Sequence, residues 1–270
     1  MWGSRIWVLL LSLFPLTLSA QSMADQGQYL LQLANCYSCH TDTENDGPAL
    51  AGGRRLETEF GIFWTPNITP DSETGIGHWS DEQFIAAVRH GRAPDGSYYF
   101  PAFPYPAYRN MEPGDIFAIK AYLFSQAGVR QENRPHELNW YVKRWLMPVW
   151  TKLNELLSPD QEEQAASRGA YLVDTLGHCN ECHTPRNRIG ILDWGQRLRG
   201  KKDLSAPDIS WTDSGIGQWS DDELVDLFRY GALPDGDYVA DHMAEVVEYS
   251  TSKWSEDDLK AAISYIRTIQ

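Results

Sequence analysis

Apolar residues along the chain recur mostly with helical spacing, and few stretches alternate strictly between apolar and polar, so helices are expected and strands should be scarce. The segments EPGDIFAIKAYLFS (112–125) and SEDDLKAAISYIRTI (255–269) predict two helices of similar make-up. Pro113 suits a first helical turn, and Ser255 with Asp258 resembles a capping box in which aspartate replaces glutamate. Two more helices are announced by Ser80-Asp-Glu-Gln and Ser220-Asp-Asp-Glu, again with capping residues in place. These pairs reflect a duplication: from Gly75 to Gly96 and from Gly215 to Gly236, at a constant offset of 140, eleven of twenty-two positions are identical. Each half also opens with a helical pattern carrying Gly-x-Tyr-Leu, at Gly27–Leu30 and Gly169–Leu172. The pattern therefore predicts an all-α chain of two tandem domains, 25–128 and 161–270, joined by a connector at 129–160.

The first residues, MWGSRIWVLLLSLFPLTLSA, place Arg5 before an apolar run that ends in small residues. This reads as a secretory leader over 1–24, with cleavage expected after Ala20 or Ala24, and the run is short for a spanning helix. Loss of Arg5 with the leader leaves 22 basic against 37 acidic side chains, a net charge of −15. Such a chain will not hold nucleic acid or anionic lipid by bulk charge; acidity favours a partner with a basic face. Export makes Asn67-Ile68-Thr69 a formal glycosylation sequon, which the following Pro70 makes a chance match.

Export would ordinarily direct four cysteines into two disulfides, but their placement argues otherwise. All four lie in Cys36-Tyr-Ser-Cys39-His40 and Cys179-Asn-Glu-Cys182-His183. CxxCH attaches haem covalently: the two thiols add to its vinyl groups, and the histidine follows as proximal iron ligand. A zinc site built from two CxxC pairs places them tens of residues apart, not 143, and does not require a histidine after each. A thioredoxin-like pair needs a βαβ setting, of which the sequence shows no sign. The expected cofactors are two covalently bound haem c groups. Pro48 and Pro185 are the expected sources of the carbonyl that would fix each proximal imidazole.

The strings FGIFWTPNITPDSETGIGHWSDEQFIAAVRHG and YLVDTLGHCNECHTPRN, with the CxxCH turns, make nearly the whole mature chain similar to the cytochrome c subunits of membrane-associated alcohol, aldehyde and gluconate dehydrogenases of bacteria. The resemblance implies two tandem class I cytochrome c domains, in which terminal helices cross at a glycine and an aromatic, here Tyr122 and Tyr265. Many members of that family carry a third haem domain and a C-terminal membrane-binding tail. The match here runs to Gln270 at the end of the second domain, so a two-haem relative is expected and membrane association is left open.

Haem iron in electron carriers usually keeps a second axial ligand, and methionine raises the potential. Met243, in a polar loop after His183, is the expected ligand of the second haem. At the matching place the first half has Phe103, in Pro-Ala-Phe-Pro-Tyr where relatives often have Pro-Ala-Met-Pro-Tyr. Met111 is then the candidate for the first haem; opposite Trp254 in the repeat, it could equally be an apolar staple. His78 and His90 are the remaining possibilities.

In the connector, Trp140, Trp145 and Trp150 recur every five residues, Pro148 is expected to interrupt any helix, and Lys143, Arg144 and Lys152 rim the segment. Packing of the tryptophans across the two domains is the first expectation, with a dehydrogenase contact or a membrane surface as alternatives. Together these features predict a periplasmic dihaem cytochrome that carries single electrons from the large subunit of a periplasmic dehydrogenase to a quinone, oxidase or cytochrome acceptor of the respiratory chain. Two rivals remain: a haem enzyme of peroxidase or sulfur-compound oxidase type with an open first haem, and a cytochrome subunit of an oxidase complex.

Overall fold

A computed structural model describes residues 16–159 and 167–270. The leader expectation falls largely on residues 1–15, outside the described residues. The first half comprises helices α1 (Leu16–Leu33), α2 (Cys36–His40), α3 (Asp81–His90), α4 (Tyr105–Tyr108) and α5 (Pro113–Ser125). After α6 (Met147–Leu157) the second half repeats the order. Its helices are α7 (Arg168–Ala170, continued by a wide turn over Tyr171–Leu176), α8 (Asn180–His183), α9 (Asp221–Tyr230), α10 (Asp241–Tyr249) and α11 (Glu256–Ile266). No helix among the described residues is long and apolar enough to cross a membrane.

The capping signals form as the sequence requires. Ser80 and Ser220 each accept from the N3 backbone N–H, while the Gln83 and Glu223 side chains return to the cap. Gly91 and Gly231 end α3 and α9 in the left-handed conformation that glycine adopts without penalty.

The helix pairs α1/α5 and α7/α11 cross at glycines. A Cβ on Gly27 would lie 1.8 Å from the Ala118 carbonyl oxygen and 3.0 Å from Tyr122 Cβ. One on Gly169 would lie 2.1 Å from the Ala261 oxygen and 2.6 Å from Tyr265 Cβ. The obstacle is backbone and cannot swing aside. Gly27→Ala and Gly169→Ala are each expected to destabilise the protein by about 1–3 kcal/mol or more, read as a lowered midpoint in thermal unfolding of the haem-loaded chain. An unchanged midpoint would show that the helices can separate.

The tyrosine of each Gly-x-Tyr-Leu explains why an aspartate suffices in the capping position of the closing helices. Aspartate is one methylene too short to reach back to the cap N–H as glutamate does. In α11 the gap is bridged by Tyr29 from the other half, whose hydroxyl accepts from Ser255 N–H (2.8 Å) and donates to Asp258 (2.6 Å). In α5 the Tyr171 hydroxyl likewise accepts from Glu112 N–H (3.0 Å) and donates to Asp115 (2.7 Å). Each half thus caps the closing helix of the other. The larger core cluster runs through both, joining Leu30, Leu33 and Ile116 to Leu172, Leu259 and Ile263.

The strands are few but present. β1 (Arg55–Thr58) pairs antiparallel with β2 (Gly61–Trp64), and β3 (Glu137–Leu138) from the connector pairs with β2. Two expectations about the connector need correction. Pro148 does not interrupt a helix; it lies in the first turn of α6, where its missing N–H costs nothing. Trp150 packs as expected, with Phe63, Phe100 and Tyr105 of the first half and Ile191 of the second, donating Nε1–H to the Ile189 carbonyl at 2.7 Å. Trp140 and Trp145 do not, being 83% and 74% exposed. Asn67, the formal sequon, is buried and donates to the Val129 carbonyl at 2.7 Å, which ties the connector to the first half.

Candidate functional site

Each CxxCH turn is entered through a residue forced into the left-handed region, Asn35 (φ 51°) and His178 (φ 39°). This sharp entry lets a short helix begin at once: α2 spans the whole first motif and α8 the second from Asn180. The four thiols are free. Burial pushes the Cys36 and Cys179 thiols up to about 12, so they are protonated at neutral pH.

The histidines are held alike. His40 Nδ1–H donates to the Pro66 carbonyl and His183 Nδ1–H to the Pro207 carbonyl, each at 2.8 Å. A carbonyl can only accept, so the proton sits on Nδ1 and Nε2 keeps its lone pair for a metal. Burial lowers the pKa of both rings and keeps them neutral, the form that ligates. The carbonyls expected from Pro48 and Pro185 are engaged elsewhere: Pro48 accepts from Ala51 N–H, and Pro185 from Asp193 N–H. Both prolines close the loop that leaves the motif, whereas the imidazole points across the site to a later segment.

That loop is closed by the same bonds in both halves, although its sequence differs and it is longer in the second. Thr41 and Thr184 accept the N–H of Leu50 (3.0 Å) and Leu198 (2.9 Å), two leucines with positive φ. His40 and His183 carbonyls accept from Gly52 and Gly200 N–H, both at 2.7 Å. Sequence reasoning missed these threonines and leucines; Thr directly after each CxxCH was the available signal. The second motif has an added tie, Asn180 to Asp174 at 2.8 Å, with Arg197 paired to the same carboxylate.

Phe103 lies among aromatic rings, 6.0 Å from Tyr99 and 5.8 Å from Tyr108 between centroids. Met111 is 1% exposed and occupies the place in the first half that the equally buried Trp254 fills in the second. Met243 is half-buried in the first turn of α10, and His78 and His90 are exposed. The motifs of the two halves lie close together: the Tyr108 hydroxyl donates to the Ala34 carbonyl (2.7 Å), and the His178 ring stands 5.5 Å from that of Tyr108.

The donor set suits haem on independent grounds. Each half offers two thiols one turn apart and a neutral imidazole with its free nitrogen preset. Each half also buries N–H donors without an acceptor among the described residues: Arg54 Nε in the first, Trp194 Nε1 and Arg197 Nε in the second. Buried donors call for acceptors, and haem brings two carboxylates.

No family profile matches the chain. A protein of Cereibacter sphaeroides named diheme cytochrome c-type is 35% identical over 262 residues, covering 91% of this chain and 86% of that protein. The gluconate 2-dehydrogenase cytochrome c subunit of Pantoea cypripedii is 35% identical over 94% of this chain and 63% of its own length. The alcohol dehydrogenase (quinone) cytochrome c subunit of Gluconobacter oxydans is 34% identical over 92% and 55%. The chain thus spans less than two thirds of these two subunits. With nearly its whole length aligned to proteins of one kind, and the paired CxxCH turns built as that kind requires, the chain belongs to the family of dihaem c-type cytochromes and dehydrogenase cytochrome c subunits.

Proposed function

We propose that the chain is an exported cytochrome with two covalently bound haem c groups, which takes single electrons from a partner dehydrogenase and passes them to a quinone, oxidase or cytochrome acceptor of the respiratory chain, in the periplasm. The carrying observation is the pair of CxxCH turns, each with its histidine locked to a backbone carbonyl so that Nε2 is free. Cys36, Cys39 and His40 would hold one haem and Cys179, Cys182 and His183 the other. Haem, when bound, supplies one-electron redox chemistry; the chain supplies potential, insulation and docking. The crossing of helices at Gly27 and Gly169 supports a reading of each half as a class I cytochrome c unit. The relatives named as subunits of gluconate and alcohol dehydrogenases support a dehydrogenase as electron donor, and any membrane association would then come through that partner.

Electron entry is best placed beside the first half. Along α6 and its approach, Trp145, Val149, Leu153, Leu156 and Leu157 form an exposed apolar face, with Lys143 and Arg144 at its edge in a chain of net charge −14. The opposite side of α6 packs on α4, just after Phe103, Thr151 bonding the Tyr105 hydroxyl at 2.8 Å. A dehydrogenase with an apolar patch and acidic rim would there lie next to the Phe103 cluster. Trp145→Ser with Leu156→Ser is expected to slow haem reduction by the partner about tenfold or more with haem content unchanged, as loss of interface anchors does. The test of the function itself is to purify the complex under mild conditions and add the dehydrogenase's substrate. Reduction of this chain's haems is expected; a large subunit that turns over without reducing them would overturn the reading.

Met243 is the proposed sixth ligand of the second haem and Met111 that of the first. The full burial of Met111 in the register of Trp254 favours a second reading, in which Met111 only packs the core and the first haem has an open side suited to small ligands. Carbon monoxide binding by the ferrous protein separates the two: no binding supports the carrier, and binding to one haem supports the open site.

A further inference from the structure

Arg54 belongs to the first half, yet its guanidinium reaches the second. The residue is 4% exposed. One terminal nitrogen donates to the Ser38 carbonyl at 2.5 Å, inside the first CxxCH turn. The other pairs with the Glu245 carboxylate and stands 3.4 Å from His242 Nδ1. Glu245 and His242 are both on α10 and flank Met243. Thr43, also from the first half, donates to the second Glu245 oxygen at 3.4 Å.

Desolvating a guanidinium is costly unless its partners are fixed, and a planar fork bonded at both tines fixes them in return. The Ser38 carbonyl is immobilised by the helical turn between Cys36 and Cys39. Glu245 is therefore held against a rigid part of the other half, and with it the first turns of α10. A helix has little internal freedom over two residues, so the Met243 backbone is held too.

We propose that Arg54 is a positioning residue for Met243, setting the distal ligand of the second haem from the attachment turn of the first. The proposal rests on Met243 being the sixth ligand of that haem. Ferric haem with a methionine ligand shows a long-wavelength charge-transfer band that is lost when the sulfur leaves, so the band reports the positioning directly.

The experiment uses the full haem-loaded chain in a Met111→Leu background, a volume-conserving change that leaves Met243 as the candidate thioether. Arg54→Met and Glu245→Gln are each expected to shift the equilibrium between bound and released methionine about tenfold toward release, seen as earlier loss of the band on raising pH or adding imidazole. Arg54→Lys, which keeps the charge but not the fork, should fall between. Glu245→Gln changes a partly exposed side chain and remains informative if Arg54→Met does not fold. If Met243→Ala leaves the band intact, the ligand assignment fails and the proposal with it. If Met243→Ala abolishes the band while Arg54→Met or Glu245→Gln leaves its titration unchanged, the assignment stands and the proposal is overturned. A drop in melting temperature without movement of the band overturns it as well, because that marks a merely structural contact.

Discussion

Replacing Cys179 and Cys182 together by serine is expected to halve the haem that stays with the denatured chain, from two groups to one. Under the proposed covalent attachment each CxxCH turn should act independently, since α2 carries the thiols of the first motif while those of the second lie on Cys179 and on α8. Serine preserves size and the local turn but forms no thioether, so the second haem would be held by coordination alone and washed out in acidified organic solvent. The matching change at Cys36 and Cys39 should remove the other half of the haem. His183→Ala is the contrasting variant: its haem should remain covalently bound while its absorption changes, because the thioethers survive and the proximal nitrogen does not. Haem content measured after extraction, beside the spectrum before it, checks both. Two haems retained in the cysteine variant would end the covalent reading of the second motif.

Sequence alone carried the motifs and the duplication because both are local patterns. Cys-x-x-Cys-His needs no knowledge of distant residues, and Ser80 and Ser220 form their boxes with residues three places on. What sequence could not supply was set by long-range geometry. Pro66 and Pro207, not Pro48 and Pro185, anchor the imidazoles because the chain returns across the site after a loop whose length differs between the halves. The first half inserts the hairpin Arg55–Trp64 there, too short to show a convincing alternation of its own. Of the three tryptophans in the connector, Trp150 alone is turned inward, which follows from the axis of α6; a five-residue spacing read without a helix start gives no face at all. Pro148, which in sequence reads as a break, marks that start.

The Ser255/Asp258 pair shows the same division of labour. A capping signal was visible, but its defect, a carboxylate too short for its task, only makes sense once Tyr29 arrives from the other half. Asp258 is 7% exposed and accepts from Arg168 twice (2.7 and 2.8 Å) and from Tyr29 (2.6 Å). Burial by itself would raise its carboxyl, but the bonds from Arg168 and Tyr29 prevail and hold it below the ordinary 3.8. Asp258→Ala is expected to cost about 2–3 kcal/mol at neutral pH, less than the 3–5 of a fully buried pair because Arg168 is part-exposed. Tyr29→Phe should cost about 1–2 kcal/mol, the loss of a bond that leaves a buried acceptor short. The two costs should not add, as one carboxylate serves both partners. A carboxyl depressed in the folded state contributes its stability fully above its unfolded value, and that contribution is lost as pH falls through the depressed one. Denaturant melts of the parent and Asp258→Ala should therefore differ most near pH 7 and converge below the ordinary carboxyl range. A gap that stays constant down to acid pH would mean that Asp258 acts by packing, and that the two halves are not joined through its charge.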